Sequence, residues 1–246
     1  RLADPCPVPP HGAVIELATW LLEAIGDDGV PTTERGNLPR SVCRELLERV
    51  QAAAGPGAIE QHLRVNSEID FPLLHQVRVV LELSGLLRKY RRRFVPTRRC
   101  LERRAASGAQ GIYPVLLRGY ATKFDWACAD GYPASYMLQQ TSWFVLWLLH
   151  GFGDRWRSSG FYEDAVLRAF PMLIEDFEAD RPLAWRTPEE DFRAALRLRV
   201  LERFAEAFGL IERRKPDGDG FRLNEPFELR RTKLFEQAVL FPAASG

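Results

Sequence analysis

Apolar residues recur at helical spacing from the start of the chain. Val14, Leu17, Leu21 and Ile25 fall on one face of a predicted helix over residues 13–25, which Gly26 stops and Asp27-Asp28-Gly29 turns. Residues 30–33 are short and β-prone. A second helix follows Pro39 with Cys43, Leu46, Leu47 and Val50 on one face, and residues 52–57, containing Gly55-Pro56-Gly57, read as a loop. A third helix spans 72–84, turns Leu74, Val77 and Leu81 inward and closes on Gly85. The period then changes. Residues 86–90 and 94–97 flank Arg91-Arg92-Arg93 as a hairpin whose turn lacks Asn or Gly and so does not declare its type. Pro96 has no N–H to donate and fits an edge strand.

Helices are expected next over 98–106, 112–127 and 133–152, the last two rich in aromatic residues, and another near 163–170. Thr187-Pro188-Glu189-Glu190 is a helix start. Thr187 can accept from the backbone, Pro188 sits where no N–H is missed, and Glu190 completes a capping box. This helix presents Phe192, Leu196, Val200, Phe204 and Phe208 and ends at Gly209. Residues 210–214 and 221–224 bracket Lys215-Pro216-Asp217-Gly218-Asp219-Gly220, a turn-rich loop, and read as a second hairpin.

Two segments recur. Trp20-Leu21-Leu22-Glu23-Ala24-Ile25-Gly26-Asp27 matches Trp147-Leu148-Leu149-His150-Gly151-Phe152-Gly153-Asp154, and Glu82-Leu83-Ser84-Gly85-Leu86-Leu87 matches Glu206-Ala207-Phe208-Gly209-Leu210-Ile211. Both offsets lie close to ~125 residues, the spacing of a domain duplication rather than a solenoid. Each half runs helix, short strand, helix, helix, hairpin. Residues 81–97 and 204–224, with Gly85-Leu86-Leu87-Arg88 and Gly209-Leu210-Ile211-Glu212 at the joint, resemble the third helix and wing of the winged-helix superfamily. The resemblance implies a mainly α chain with small β-hairpins. It would comprise a linker or tail (1–10), a first winged-helix module (11–108), a helical connector (109–132) and a second module (133–246).

A narrower resemblance rests on Asp125-Trp126, Leu138-Gln139-Gln140-Thr141, Trp147-Leu148-Leu149-His150 and Arg231-Thr232-Lys233-Leu234-Phe235. These look like the helical region of an uncharacterised bacterial family first noted as an open reading frame on a root-inducing plasmid, and the likeness covers most of residues 70–240. The acidic-aromatic strand of that family's β-rich domain is absent from this sequence. The resemblance implies an accessory helical domain of a larger bacterial protein and carries no activity with it.

Composition narrows the function classes. Of 246 residues, 46% are hydrophobic and 27% charged, with a net charge of +1, so a uniformly basic nucleic-acid coat and an acidic solvating tail are both excluded. Cys6, Cys43, Cys100 and Cys128 stand far apart, form no C-x-x-C, and are expected as free thiols in a cytoplasmic protein. The longest apolar stretch, 144–149, is far short of the ~20 residues that span a bilayer, so no membrane partner is expected. The start at Arg1, without Met, points to an upstream domain or tag.

Charge is uneven. Arg88, Lys89, Arg91, Arg92, Arg93, Arg98, Arg99, Arg103 and Arg104 crowd into residues 86–104 against Glu102 alone. A basic wing tip suits phosphate, because the planar guanidinium fork matches its oxygens. These cations, Arg88 to Arg103 foremost, are the candidate contacts for a nucleic acid or another polyanion. Alternatively they pair with the acidic remainder or solubilise an edge hairpin. The third helix of the first half offers only His75, Gln76, Arg78, Glu82 and Ser84 as polar groups, and its counterpart opens on Glu189-Glu190-Asp191, which repels phosphate. Arg193 and Arg197 are expected to pair with nearby acids. Contact therefore falls on the backbone rather than on base edges.

The aromatic residues Tyr113, Tyr120, Phe124, Trp126, Tyr132, Tyr136, Trp143, Phe144 and Trp147 could stack bases or fill a partner's groove, but their helical spacing favours core joining the two halves, with Trp156 and Trp185 as candidate interface residues. His11, His62, His75 and His150 have no metal-ligand spacing, and no G-x-S-x-G, P-loop or G-x-G-x-x-G occurs. Neither an enzyme nor a cofactor is expected. The leading expectation is a non-enzymatic nucleic-acid- or polyanion-binding module. Its rival is a protein–protein interaction scaffold or accessory domain.

Overall fold

Two runs of helices each close on a small three-stranded antiparallel sheet in the computed structural model, which describes residues 1–53, 63–128, 130–179, 186–214 and 225–242. The chain is mainly helical and divides into two units, Asp4–Phe124 and Arg1–Ala3 with Asp125–Gly246. Parts of the expected loop 52–57, and all of His62, Trp185, the loop 215–220 and the strand 221–224, lie outside the described residues.

In the first unit, α1 (Ala13–Ile25) leads to β1 (Val30–Pro31), α2 (Arg40–Ala53), a 3-10 turn (Glu68–Asp70) and α3 (Pro72–Leu83). The hairpin β2 (Leu87–Tyr90) and β3 (Arg93–Pro96) follows, then α4 (Arg98–Lys123). The sheet order is β1-β3-β2. Leu17, Leu21, Cys43, Leu46, Leu74, Val77 and Leu81 are buried, as their periodicity requires, and Phe94 carries the core onto the sheet.

In the second unit, α5 (Tyr136–Gln140) and α6 (Ser142–Phe152) precede β4 (Arg157–Ser158), α7 (Ser159–Ala169) and α8 (Leu173–Ala179). Next comes α9 (Pro188–Leu196), which continues as a π-helical stretch (Arg197–Glu206), then β5 (Ile211–Arg214), β6 (Glu228–Arg231) and α10 (Lys233–Ala238). The sheet order is β4-β6-β5. Among the described residues the second hairpin's return strand is 228–231. Leu229 is its buried anchor, with Phe227 buried just before it. Thr187 and Glu190 form the expected capping box.

The joint between the hairpin and the helix that precedes it is built alike in both units. Gly85 and Gly209 both take φ 70, a left-handed stop that suits glycine. Leu86 N–H donates to Leu81 O at 2.9 Å and Leu210 N–H to Ala205 O at 2.8 Å, each closing a Schellman turn. After each hairpin a threonine closes the same circuit. Thr97 Oγ1 donates to Gly85 O and accepts from Cys100 N–H, while Thr232 Oγ1 donates to Gly209 O and accepts from Phe235 N–H. Thr97→Ala and Thr232→Ala should each lower stability by about 1–2 kcal/mol in urea titrations, with the serine variants close to wild type.

The helices expected over 98–106 and 112–127 are both present and meet at a kink inside α4, where Gly108 takes non-helical backbone (φ 55, ψ −135). Pro114, which normally ends a helix, is accommodated inside it. The carbonyl it leaves without a helical partner, Gln110 O, accepts from Cys6 N–H at 3.0 Å. For the same reason part of the expected linker is packed. Cys6 is buried, its carbonyl accepts from Gln110 Nε2, and Asp4 pairs with Arg103 at 2.7 Å. The helical part of the expected connector thus continues α4 within the first unit.

The aromatic residues divide as well. Tyr113, Tyr120 and Trp126 are buried, but Tyr136, Trp143 and Trp147 are exposed. Val145, Leu146, Leu148 and Leu149 take the inward face of α6, which leaves its tryptophans on the other side. The four cysteines are free. Burial pushes the Cys43 and Cys100 thiols up to about 11. Among the described residues no helix is long and apolar enough to cross a membrane.

Candidate nucleic-acid interface

The register of the first hairpin sets the position of every cation on it. Tyr90 pairs with Arg93, so only Arg91 and Arg92 remain for the turn. Both adopt left-handed backbone, φ 47 and φ 57, as a two-residue type I′ turn requires. Asn-Gly fits that turn without strain, whereas an arginine in this region costs roughly 1–2 kcal/mol. The turn the sequence left undeclared is therefore tight, and it is made by two of the candidate contacts.

Cross-strand pairing then sorts the faces. Leu87 opposite Pro96 and Lys89 opposite Phe94 lie on the core side. Arg88 opposite Val95 and Tyr90 opposite Arg93 lie on the other. The Arg88 and Arg91 guanidinium groups each sit 5.2 Å from the Tyr90 ring centroid, and Lys89 Nζ lies 5.2 Å from that of Phe94. Arg88, Lys89, Arg91, Arg92 and Arg99 are exposed, and among the described residues none of them forms an ion pair with a carboxylate. Arg98 pairs with Glu102 across a turn of α4, but both side chains are well exposed, so the pair is weak.

Two expected site residues are engaged elsewhere. Arg93 donates to the carbonyls of Asp28 and Gly29 and fastens the start of β1. Arg103 donates to both Asp4 oxygens and to Gly111 O, and these bonds hold the Asp4 carboxyl below the usual carboxylate range. Arg104 is half-buried beside a groove of about 540 Å³ between α1 and α4 that Glu23 and Asp27 also line.

The helices that lead into the two hairpins hold their arginines in ion pairs. Arg78 is buried and bonded to Glu68 and Glu82. Arg193 pairs with Asp164 and Glu189, and Arg197 with Glu163. Sequence reading missed the centre of the first network. Glu68 is fully buried and accepts from Leu38 N–H and Arg78 Nε, and its other close partner is His75 Nδ1. Its signal was the pattern Ser67-Glu68-Ile69-Asp70, a capping box that places Glu68 in the first turn of a helix.

The second hairpin contrasts with the first. Arg214 pairs with its cross-strand partner Glu228, Arg230 with its partner Glu212, Arg231 with Glu236, and Arg213 with both Glu202 and Glu206. Burial pushes those last two carboxyls up, which Arg213 opposes. Arg214 and Arg230 also lie over the Trp156 ring. Each arginine on the two strands of the second hairpin is thus held by a carboxylate.

Among the described residues no cluster of His, Cys, Asp and Glu side chains could hold a metal ion. Comparison with protein-family models, curated proteins and solved structures gives no match.

Proposed function

We propose that the chain is a non-enzymatic module that binds nucleic acid or another polyanion through its first hairpin. In this reading both units are winged-helix modules descended from one ancestral copy. The duplication is supported by the matching glycine stops, Schellman turns and threonine circuits. It is supported again by β1 and β4, which fall at the same place after the paired Trp20 and Trp147 segments and take the same place in the order of their sheets.

One observation carries the binding role. The first hairpin holds unpaired cations on a strained turn, while its counterpart in the second unit neutralises every arginine on its two strands. A hairpin that needed charge only to stay soluble would be served as well by the paired arrangement. Arg88, Lys89, Arg91, Arg92 and Arg99 are the contacts, with Arg98 beside them, and they capture phosphates without making or breaking a bond.

The test is a titration of labelled duplex DNA at ~50 and ~200 mM salt, with wild type and an Arg88→Glu, Arg91→Glu, Arg92→Glu variant. Wild type should bind with a steep salt dependence and the variant should lose binding at both concentrations. Equal binding by the two proteins removes the hairpin from the reading.

A protein-interaction scaffold is the second reading. It is favoured by the outward tryptophans of α6, Trp143 at 42% and Trp147 at 52% exposure, beside Phe144. It fits the bacterial accessory-domain resemblance. It requires a partner whose affinity is nearly independent of salt and is lost in a Trp143→Ser, Trp147→Ser variant.

A further inference from the structure

Tyr90 is the one aromatic on the first hairpin that does not enter the core. The residue is 49% exposed. Among the described residues it has no aromatic neighbour and its hydroxyl has no hydrogen-bond partner. The side chain opposite it, Arg93, is turned to the carbonyls of Asp28 and Gly29. What lies against the ring is charge, in the form of the Arg88 and Arg91 guanidinium groups. A solubilising edge needs no tyrosine in the middle of its cations, and a core residue would not be half in water.

We propose that Tyr90 is a stacking platform for an unpaired nucleobase, so that the first hairpin prefers single-stranded nucleic acid to duplex. This rests on the reading of the hairpin as a polyanion contact and adds the class of ligand. An unstacked nucleotide presents a planar base between two phosphates. The hairpin presents the complement in the same order: cation, aromatic ring, cation. Guanidinium groups that shield the ring in the free protein can swing to the flanking phosphates and leave the ring to the base, or stack on the neighbouring bases themselves. Bases inside a duplex are already stacked on each other, so a duplex meets only the cations. Lys89 and Arg92 add phosphate contacts common to both forms.

The full chain is titrated by fluorescence anisotropy with labelled oligo-dT of about 15 nucleotides, a blunt duplex of equal length, and heparin, which is polyanionic and has no bases. Tyr90→Phe should match wild type on all three. Tyr90→Ala should weaken oligo-dT binding about tenfold, as expected for one stacked base, and leave duplex and heparin within about twofold. Tyr90→Val, which keeps a good strand residue at the position, should behave as Tyr90→Ala and so guards against loss of the hairpin. Oligo-U should behave as oligo-dT, because stacking does not read the sugar.

The stacking role is overturned if the alanine and valine variants leave oligo-dT binding unchanged, weaken all three ligands alike, or are matched by the phenylalanine variant. Those results leave the polyanion reading standing wherever reversal of Arg88, Arg91 and Arg92 still abolishes binding. If wild type binds none of the three at ~50 mM salt, both readings fall.

Discussion

Asp130→Ala should lower the stability of the second unit by about 3–5 kcal/mol. The Asp130 side chain is fully buried and receives Arg199 Nε at 2.7 Å and Nη2 at 2.8 Å, with Arg203 Nη1 at 3.4 Å. Arg199 is 1% exposed and also donates to the Tyr132 and Pro133 carbonyls. It projects from the π-helical continuation of α9 and ties that stretch to the chain ahead of α5. Removing the carboxylate leaves a guanidinium buried with only carbonyl partners, and desolvating an unpaired charge costs more than the lost bonds themselves. Replacing both partners, Asp130→Leu with Arg199→Met, should therefore return stability closer to wild type than either single change. Urea titration followed by tryptophan fluorescence reads this directly. A double variant as unstable as the sum of the two singles would mean that the pair is not coupled.

This pair also marks where sequence reading stops. The helices and hairpins were legible because apolar periodicity and glycine stops are local. Leu74, Val77 and Leu81 predicted the inward face of α3, and Gly85 and Gly209 predicted where the helices before the two hairpins end. Asp130, Glu68 and Arg199 were not legible as core. Acidic and arginine residues are common on surfaces, and their burial depends on partners supplied by distant chain. The break at Gly108 inside α4 was legible, but the accommodation of Pro114 was not, because the bond that satisfies Gln110 O comes from Cys6.

The basic cluster was visible as a run of charge, but its division into free and engaged cations was not. Arg93 is held by carbonyls that carry no sequence signature, and Arg103 by Asp4 across 99 residues. Tyr90 could have been found. It interrupts the cation run in a strand, and strand alternation alone places it with Arg88.

Replacing the turn residues, Arg91→Asn with Arg92→Gly, should move stability and binding in opposite directions. Both arginines sit in left-handed backbone that Asn-Gly adopts readily, so thermal or urea unfolding should show a gain of about 1–2 kcal/mol. Loss of the unfolded-state benefit of non-glycine residues takes back part of the strain relief. On duplex DNA, two phosphate contacts disappear while Arg88, Lys89 and Arg99 remain. The slope of log affinity against log salt should then fall by about 1.8. Between ~50 and ~200 mM salt, wild type should lose about tenfold more affinity than the variant. A variant that is more stable yet binds with the wild-type slope would show that the turn does not touch phosphate. A less stable variant would mean that the arginines support the hairpin through the Tyr90 ring more than their backbone strains it. A hairpin that folds better without its two tip arginines keeps them for what they touch outside the fold, as expected where backbone strain collects at a contact site.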